Sequence, residues 1–277
     1  MNRPKLIQLS IIAGSLVLFV VVFAAPKNYS DKKLADRARV ETKKESDNQL
    51  VEIKKELKPE AGAKLAELEK NHAAAQSTGE KAKALDSLTV FWDKQMYPGA
   101  SILYIEEKAA LLKTADQWIL AGDRYLSMAE FGEAENKTYR LDKAAECFQN
   151  ALDVQPDNLT AKTGMGTVLV RKQEDPMAGI AILREVVEAD PKNIRALLQL
   201  ADFSILSGQF DKAIARFDQV LEIEPAYVDA YFFKAETYAK WGKKEEARRF
   251  LDEYKSKVGN PEAGTEAENY LNSNYGL

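Results

Sequence analysis

Cys147 and His72 are the one cysteine and the one histidine of the 277-residue chain. A lone thiol forms no intramolecular disulfide, and two such residues cannot assemble a Cys/His metal site or a nucleophile–base–orienter triad. Cys147 lies in AAECFQNAL, an apolar run at helical spacing, where it reads as a small core hydrophobe rather than a reactive thiol. His72 follows Leu65 and Leu68 at helical spacing and reads as a packed or flanking helix residue. The 43 Asp and Glu residues lie on the polar faces of helices, and no pair stands out for general acid–base work. There is no Gly-rich phosphate loop. No catalytic residue, metal ion, cofactor or small-molecule substrate is therefore expected, and an enzyme with an unrecognised carboxylate site is the distant alternative. The net charge of −4, with both signs intermixed, lacks the clustered basic face of a nucleic-acid binder.

What would position a binding surface instead is a repeat. In Ile194 to Pro225, Leu197, Leu200, Ala201 and Ser204 recur at helical spacing before Gly208 breaks the run. Ala213, Ile214, Phe217, Val220 and Leu221 resume it up to Pro225. This predicts a helical hairpin, with Ala201 and Ala213 small enough for close approach. Pro156, Pro191 and Pro225 lie 35 and 34 residues apart, each closing an apolar run. After Pro225, Tyr231, Ala235, Tyr238, Gly242, Ala247 and Leu251 take the places of the preceding hairpin's residues.

On these residues the chain resembles the tetratricopeptide repeat family, whose helix-turn-helix units span about 34 residues. Trp118, Ala121, Gly122 and Tyr125 are similar to its W-x2-L-G-x2-Y pattern, with Ala in place of Leu. The resemblance implies an all-α, right-handed superhelix of antiparallel hairpins that binds peptides or helices on a concave face made mainly by each hairpin's first helix. Projecting that face gives Ile119, Asp123 and Leu126; Thr163, Thr167 and Val170; Leu198, Asp202 and Ile205; and Phe232, Glu236 and Ala239. Such an apolar track with acidic points suits a polypeptide partner carrying apolar anchors and Lys or Arg. The competing reading is that these side chains pack within the array. Family members that clamp a chaperone-tail carboxylate use Lys and Asn there, and neither stands at these positions.

The chain divides as follows. Residues 1–5 form a short tail, and 6–25 are a 20-residue uncharged stretch long enough to cross a bilayer as a signal anchor. Val22-Phe23-Ala24 leaves a cleaved signal peptide, and so secretion, as the alternative. Residues 26–60, with ten Lys or Arg against eight Asp or Glu, read as a charged helical stalk. Residues 61–113 read as degenerate repeat-like helices. The repeats span 114–258, as 114–156, 157–191, 192–225 and 226–258, and 259–277 add a capping helix with a fraying tail from Ser273. Thr114 and Gln117 have the form of a capping box. Segment 131–142, FGEAENKTYRLD, reads as a surface insertion before a partner helix starting at Asp142, or as an extension of both helices. Gly164, Gly166, Gly179 and the threonines near them predict that the repeat 157–191 is the least stable.

These readings add up to a bacterial inner-membrane, single-pass protein with its repeats in the periplasm. It would serve as an interaction scaffold, chaperone-like or ancillary to the Sec translocon. The alternative is a dedicated assembly factor for one envelope complex, such as cytochrome maturation or cell-wall machinery.

Overall fold

The computed structural model describes residues 50–131 and 136–277. The proposed membrane span, residues 6–25, lies outside them, as does most of the stalk. Among the described residues no helix is long and apolar enough to cross a membrane. The chain divides into two compact units, Met1–Glu67 and Leu68–Leu277.

Every regular element among the described residues is a helix. A short helix over 50–56 is followed by α1 (Pro59–Ala74). The second unit then alternates α2 (Thr78–Lys94) with α3 (Pro98–Leu112), α4 (Ala115–Phe131) with α5 (Lys137–Val154), and α6 (Leu159–Lys172) with α7 (Pro176–Ala189). It continues with α8 (Ile194–Leu206) and α9 (Phe210–Ile223), then α10 (Asp229–Lys240) and α11 (Lys244–Lys257), and closes on α12 (Pro261–Tyr275). Each pair packs as a hairpin, and each second helix also packs on the first helix of the next pair, so the apolar seam runs on from hairpin to hairpin as a solenoid. The predicted stripe residues Leu197, Leu200, Ala201, Ala213, Phe217 and Val220 are all buried.

Local chemistry sets the helix ends. Asn158 and Asn193 accept from the backbone N–H of Ala161 and Ala196, capping α6 and α8 at equivalent places after Pro156 and Pro191. Ser77 and Glu80 make a reciprocal capping box at α2, with the Ser77 N–H donating to Glu80 Oε2 at 2.9 Å. The predicted box at α4 is not formed, because Gln117 Oε1 is buried with no hydrogen-bond partner. Gly208 and Gly242 turn the chain inside their hairpins at φ +72° and +79°, and Gln173 takes the same left-handed conformation at the corresponding place.

Three expectations change. The partner helix begins at Lys137, not at Asp142, so residues 137–142 of the segment 131–142 are helical. The C-terminus does not fray at Ser273, because α12 runs to Tyr275 and the Gly276 carbonyl accepts from Lys244 Nζ at 2.7 Å. The glycines of α6 and α7 are sites of close contact rather than merely weak helix formers. The fully buried Phe148 ring of α5 lies so close to Gly122 of α4 and Gly164 of α6 that a Cβ would meet it at 2.8 Å and 2.3 Å. Gly166 and Gly179 face each other, and a Cβ on Gly179 would lie 2.5 Å from the Gly166 carbonyl oxygen.

This sets packing against propensity. Alanine at 164 would favour an isolated helix by about 1 kcal/mol, whereas forcing a methyl into a filled core costs about 1–3 kcal/mol. Gly164→Ala is expected to lower the melting temperature by several degrees. Phe148→Leu in the same chain should recover part of that loss, as a thermal double-mutant cycle would show.

Candidate functional site

The twelve residues projected onto the first-helix face divide into two groups. Ile119, Leu126, Thr163, Thr167 and Val170 are buried. Ile119 and Leu126 join the core around Phe148, and Val170 packs with Leu183, Leu200 and Phe203. Thr163 Oγ1 donates to the Leu159 carbonyl at 2.7 Å and Thr167 Oγ1 to the Thr163 carbonyl at 2.8 Å, so both hydroxyl protons are already committed within α6. These five positions belong to internal packing, and Ala239, 7% exposed, belongs with them. The physical reason is that α6 is covered by α4 on one side and α8 on the other.

Asp123, Leu198, Asp202, Ile205, Phe232 and Glu236 are half-buried and remain on the face. They span α4, α8 and α10. Phe232 leans on the rings of Tyr254 at 5.5 Å and Tyr270 at 6.0 Å, so α11 and α12 cover part of it.

The acidic points of this face are already engaged. Arg195 at the start of α8 reaches past α6 and forks onto both Asp123 carboxylate oxygens, with Nη1 to Oδ2 at 3.1 Å. Arg171 of α6 stands between Glu130 of α4 at 3.3 Å and Asp202 of α8 at 3.5 Å, and its Nε is buried without a partner. The Glu236 carboxylate accepts from the hydroxyls of Tyr270 at 2.9 Å and Tyr275 at 3.1 Å, and Lys240 lies 3.8 Å away. The face is thus a ladder of charges with apolar rungs, not a bare acidic track.

Sequence reasoning missed Arg171, Arg195 and Lys240. Arg171 and Lys240 follow Thr167 and Glu236 by four residues, so carrying the stripe one place further would have found them. Arg195 had no such signal, because its partner lies 72 residues away, about two repeats rather than one.

Asp202 carries the electrostatic signature of the face. Burial raises its carboxyl above the usual range, Arg171 opposes this, and Glu130 and Glu236 reinforce it. A carboxyl that titrates higher in the folded chain weakens the fold as pH rises through that interval, and the penalty is absent below the unfolded value of about 3.9. Asp202→Asn is expected to melt above the parent protein at pH 7. The gain should vanish as pH falls below the usual aspartate range, which melting curves across pH would test.

A second ionisable cluster is enclosed between α3, α4 and α5. Glu106 accepts from the Tyr125 hydroxyl at 2.5 Å and pairs with Lys143. Burial alone would lower the Lys143 ammonium, but the Glu106 charge prevails and raises it. Cys147, 1% exposed, is pushed up to about 12 by burial and by Glu106, so it is a neutral thiol at pH 7 and not a nucleophile. His72 Nε2 lies 3.3 Å from Glu107 at the edge of the array.

Tetratricopeptide repeats are found in this chain: family models of that description match residues 137–194, 170–219 and 204–265. Over 125 residues, 42% of this chain, it is 25% identical to the mitochondrial import receptor subunit TOM70 of Homo sapiens, and the match spans 21% of that protein's length. Among solved structures, a tetratricopeptide repeat protein from Parabacteroides merdae aligns with a TM-score of 0.56 at 15% identity, over 77% of this chain and 80% of that one. PilW, a type IV pilus biogenesis factor, aligns with a TM-score of 0.52 at 22% identity, over 71% and 94%. At such identities the two structures speak for the fold alone.

Proposed function

We propose that this protein is a membrane-tethered scaffold whose first-helix face binds a polypeptide segment bearing apolar side chains and Lys or Arg. The observation that supports this is the half-buried row Leu198, Asp202, Ile205, Phe232 and Glu236, which offers apolar contact and carboxylates on two rigid helices. Tetratricopeptide repeats mediate protein–protein interactions, and the similarity to an import receptor subunit fits a client-receiving role. On this reading the carboxylates exchange their internal partners Arg171 and Lys240 for the client's cations. That exchange confers charge selectivity and a salt-dependent affinity rather than a large net attraction.

The tether is residues 6–25, spanning a bacterial inner membrane once with the repeats on the periplasmic side. This reading rests on the length and uncharged composition of that stretch. The chain is expected to stay with the membrane fraction through a carbonate wash. A mature N-terminus at Ala25 or Pro26 would refute the tether and leave the repeats as described.

Client binding is tested by purification from solubilised native membranes after crosslinking, with partners identified by mass spectrometry. Recovery of many unfolded clients is expected of a chaperone-like factor or one ancillary to the Sec translocon. One stoichiometric partner complex would instead mark a dedicated assembly factor. Leu198→Ala and Ile205→Ala should each weaken capture by about 1–3 kcal/mol, the scale of a buried apolar anchor. Asp202→Lys should weaken capture of basic clients and flatten its salt dependence. Capture that falls only in proportion to the folded fraction, measured by melting the same variants, would assign these side chains to internal packing.

A further inference from the structure

The second helices carry a charge arrangement that the first-helix face does not explain. Between α7 and α9 lies a cleft of about 350 Å³. Leu197 and Leu200 of α8, 2% and 4% exposed, lie beneath it. Val187 of α7 and the exposed Ala215 of α9 supply its accessible apolar surface, and Arg184, Lys212 and Arg216 line it as well.

Arg216 is half-buried, yet its guanidinium donates only to neutral acceptors, Ser204 Oγ at 2.8 Å and the Lys212 carbonyl at 3.2 Å. Arg184 makes no ion pair or hydrogen bond among the described residues. Lys212 Nζ donates to the neutral Gln209 side chain. Glu188, the carboxylate lining the cleft, pairs with none of the three cations. Burial and the like charge of Arg184 both press against the protonated form of Arg216.

A cation withdrawn from water is costly unless an anion faces it. Elsewhere in this array the partly buried cations have found one: Lys234 meets Asp218, Lys143 meets Glu106, and Arg195 meets Asp123. Here the counter-charge is missing. The apolar surface beside the cations asks for more than a bare ion, because an inorganic anion would leave the half-buried Val187 and the exposed Ala215 uncovered.

We propose that this cleft is a second polypeptide-binding site, which takes an Asp or Glu side chain of a partner between Arg184 and Arg216 and an adjoining aliphatic side chain against Val187 and Ala215. It differs from the first-helix face in position and in sign, since that face suits basic clients. One solenoid can therefore hold a basic segment on its first helices and an acidic segment on its second helices.

The test uses the full-length protein, purified in mild detergent, and a fluorescein-labelled, end-blocked heptapeptide of alternating Glu and Leu, read by fluorescence anisotropy. The control peptide carries Lys in place of Glu. Saturable binding of the Glu peptide is expected, weakened at least tenfold by Arg184→Gln and by Arg216→Gln. The Lys peptide should not respond to either arginine variant. Arg184 is exposed and makes no internal bond, so Arg184→Gln should melt with the parent, which keeps the test clear of folding defects. Absence of saturable binding up to millimolar protein, or an affinity in both arginine variants equal to the parent's, would overturn the proposal. So would displacement by inorganic phosphate as effective as by unlabelled Glu peptide, which would make the cleft a site for a free anion.

Discussion

The Phe148 ring sets the distance between three helices. It projects from α5 into a slot walled by the backbones of α4 and α6, and the slot exists only because Gly122 and Gly164 have no side chain there. A fully buried aromatic side chain is worth about 1.5–3 kcal/mol of burial, more than the helix propensity that each glycine forgoes. Close packing then makes the arrangement stiff, as neither wall can take a methyl without displacing the ring. The repeat that looks weakest in propensity is therefore one in which glycines admit close ring and backbone contacts.

The charges of the first-helix face follow from that geometry. With α6 drawn in against Phe148 and its threonines turned to their own backbone carbonyls, the polar links run between its neighbours and across it. Arg195 of α8 meets Asp123 of α4, and Arg171 of α6 meets both Glu130 and Asp202. Most of these pairs are partly exposed, and such pairs contribute about 0–1 kcal/mol each. Their larger effect is to hold the carboxylates in place and to set the sign of what can replace their partners. Towards the C-terminus aromatic contacts take over, with Phe232, Tyr254, Tyr270 and Tyr275 joining α10, α11 and α12 around the Glu236 carboxylate. That closure also keeps the last residues helical.

The two faces of the array differ in how far their charges are satisfied. The first helices present acids that already have bases. The second helices present Arg184 and Arg216 without an ion-pair partner among the described residues, the nearby Glu188 being bonded to neither, beside the apolar Val187 and Ala215. The acid-rich composition gave no hint of this, because a net charge averages over a surface and says nothing about where a cation stands alone.

Some of this was determined by the sequence alone. Helical periodicity placed the hairpins, the prolines at 34- and 35-residue spacing placed their boundaries, and small residues at Ala201 and Ala213 marked close crossings. These are local properties, in which residues three and four apart share a face whatever else the chain does. Asn158 and Asn193 could also have been read as helix caps from their places after the prolines. Which projected residues stay open was decided by the tertiary structure. Thr163, Thr167 and Val170 hold the same helical register as Leu198, Asp202 and Ile205, yet α6 is covered on both sides and α8 keeps its row half-open. Periodicity gives the direction of a side chain from its own helix axis, whereas burial depends on how close the next helix comes. That distance was set here by one aromatic ring and two missing Cβ atoms, and no local pattern encodes it.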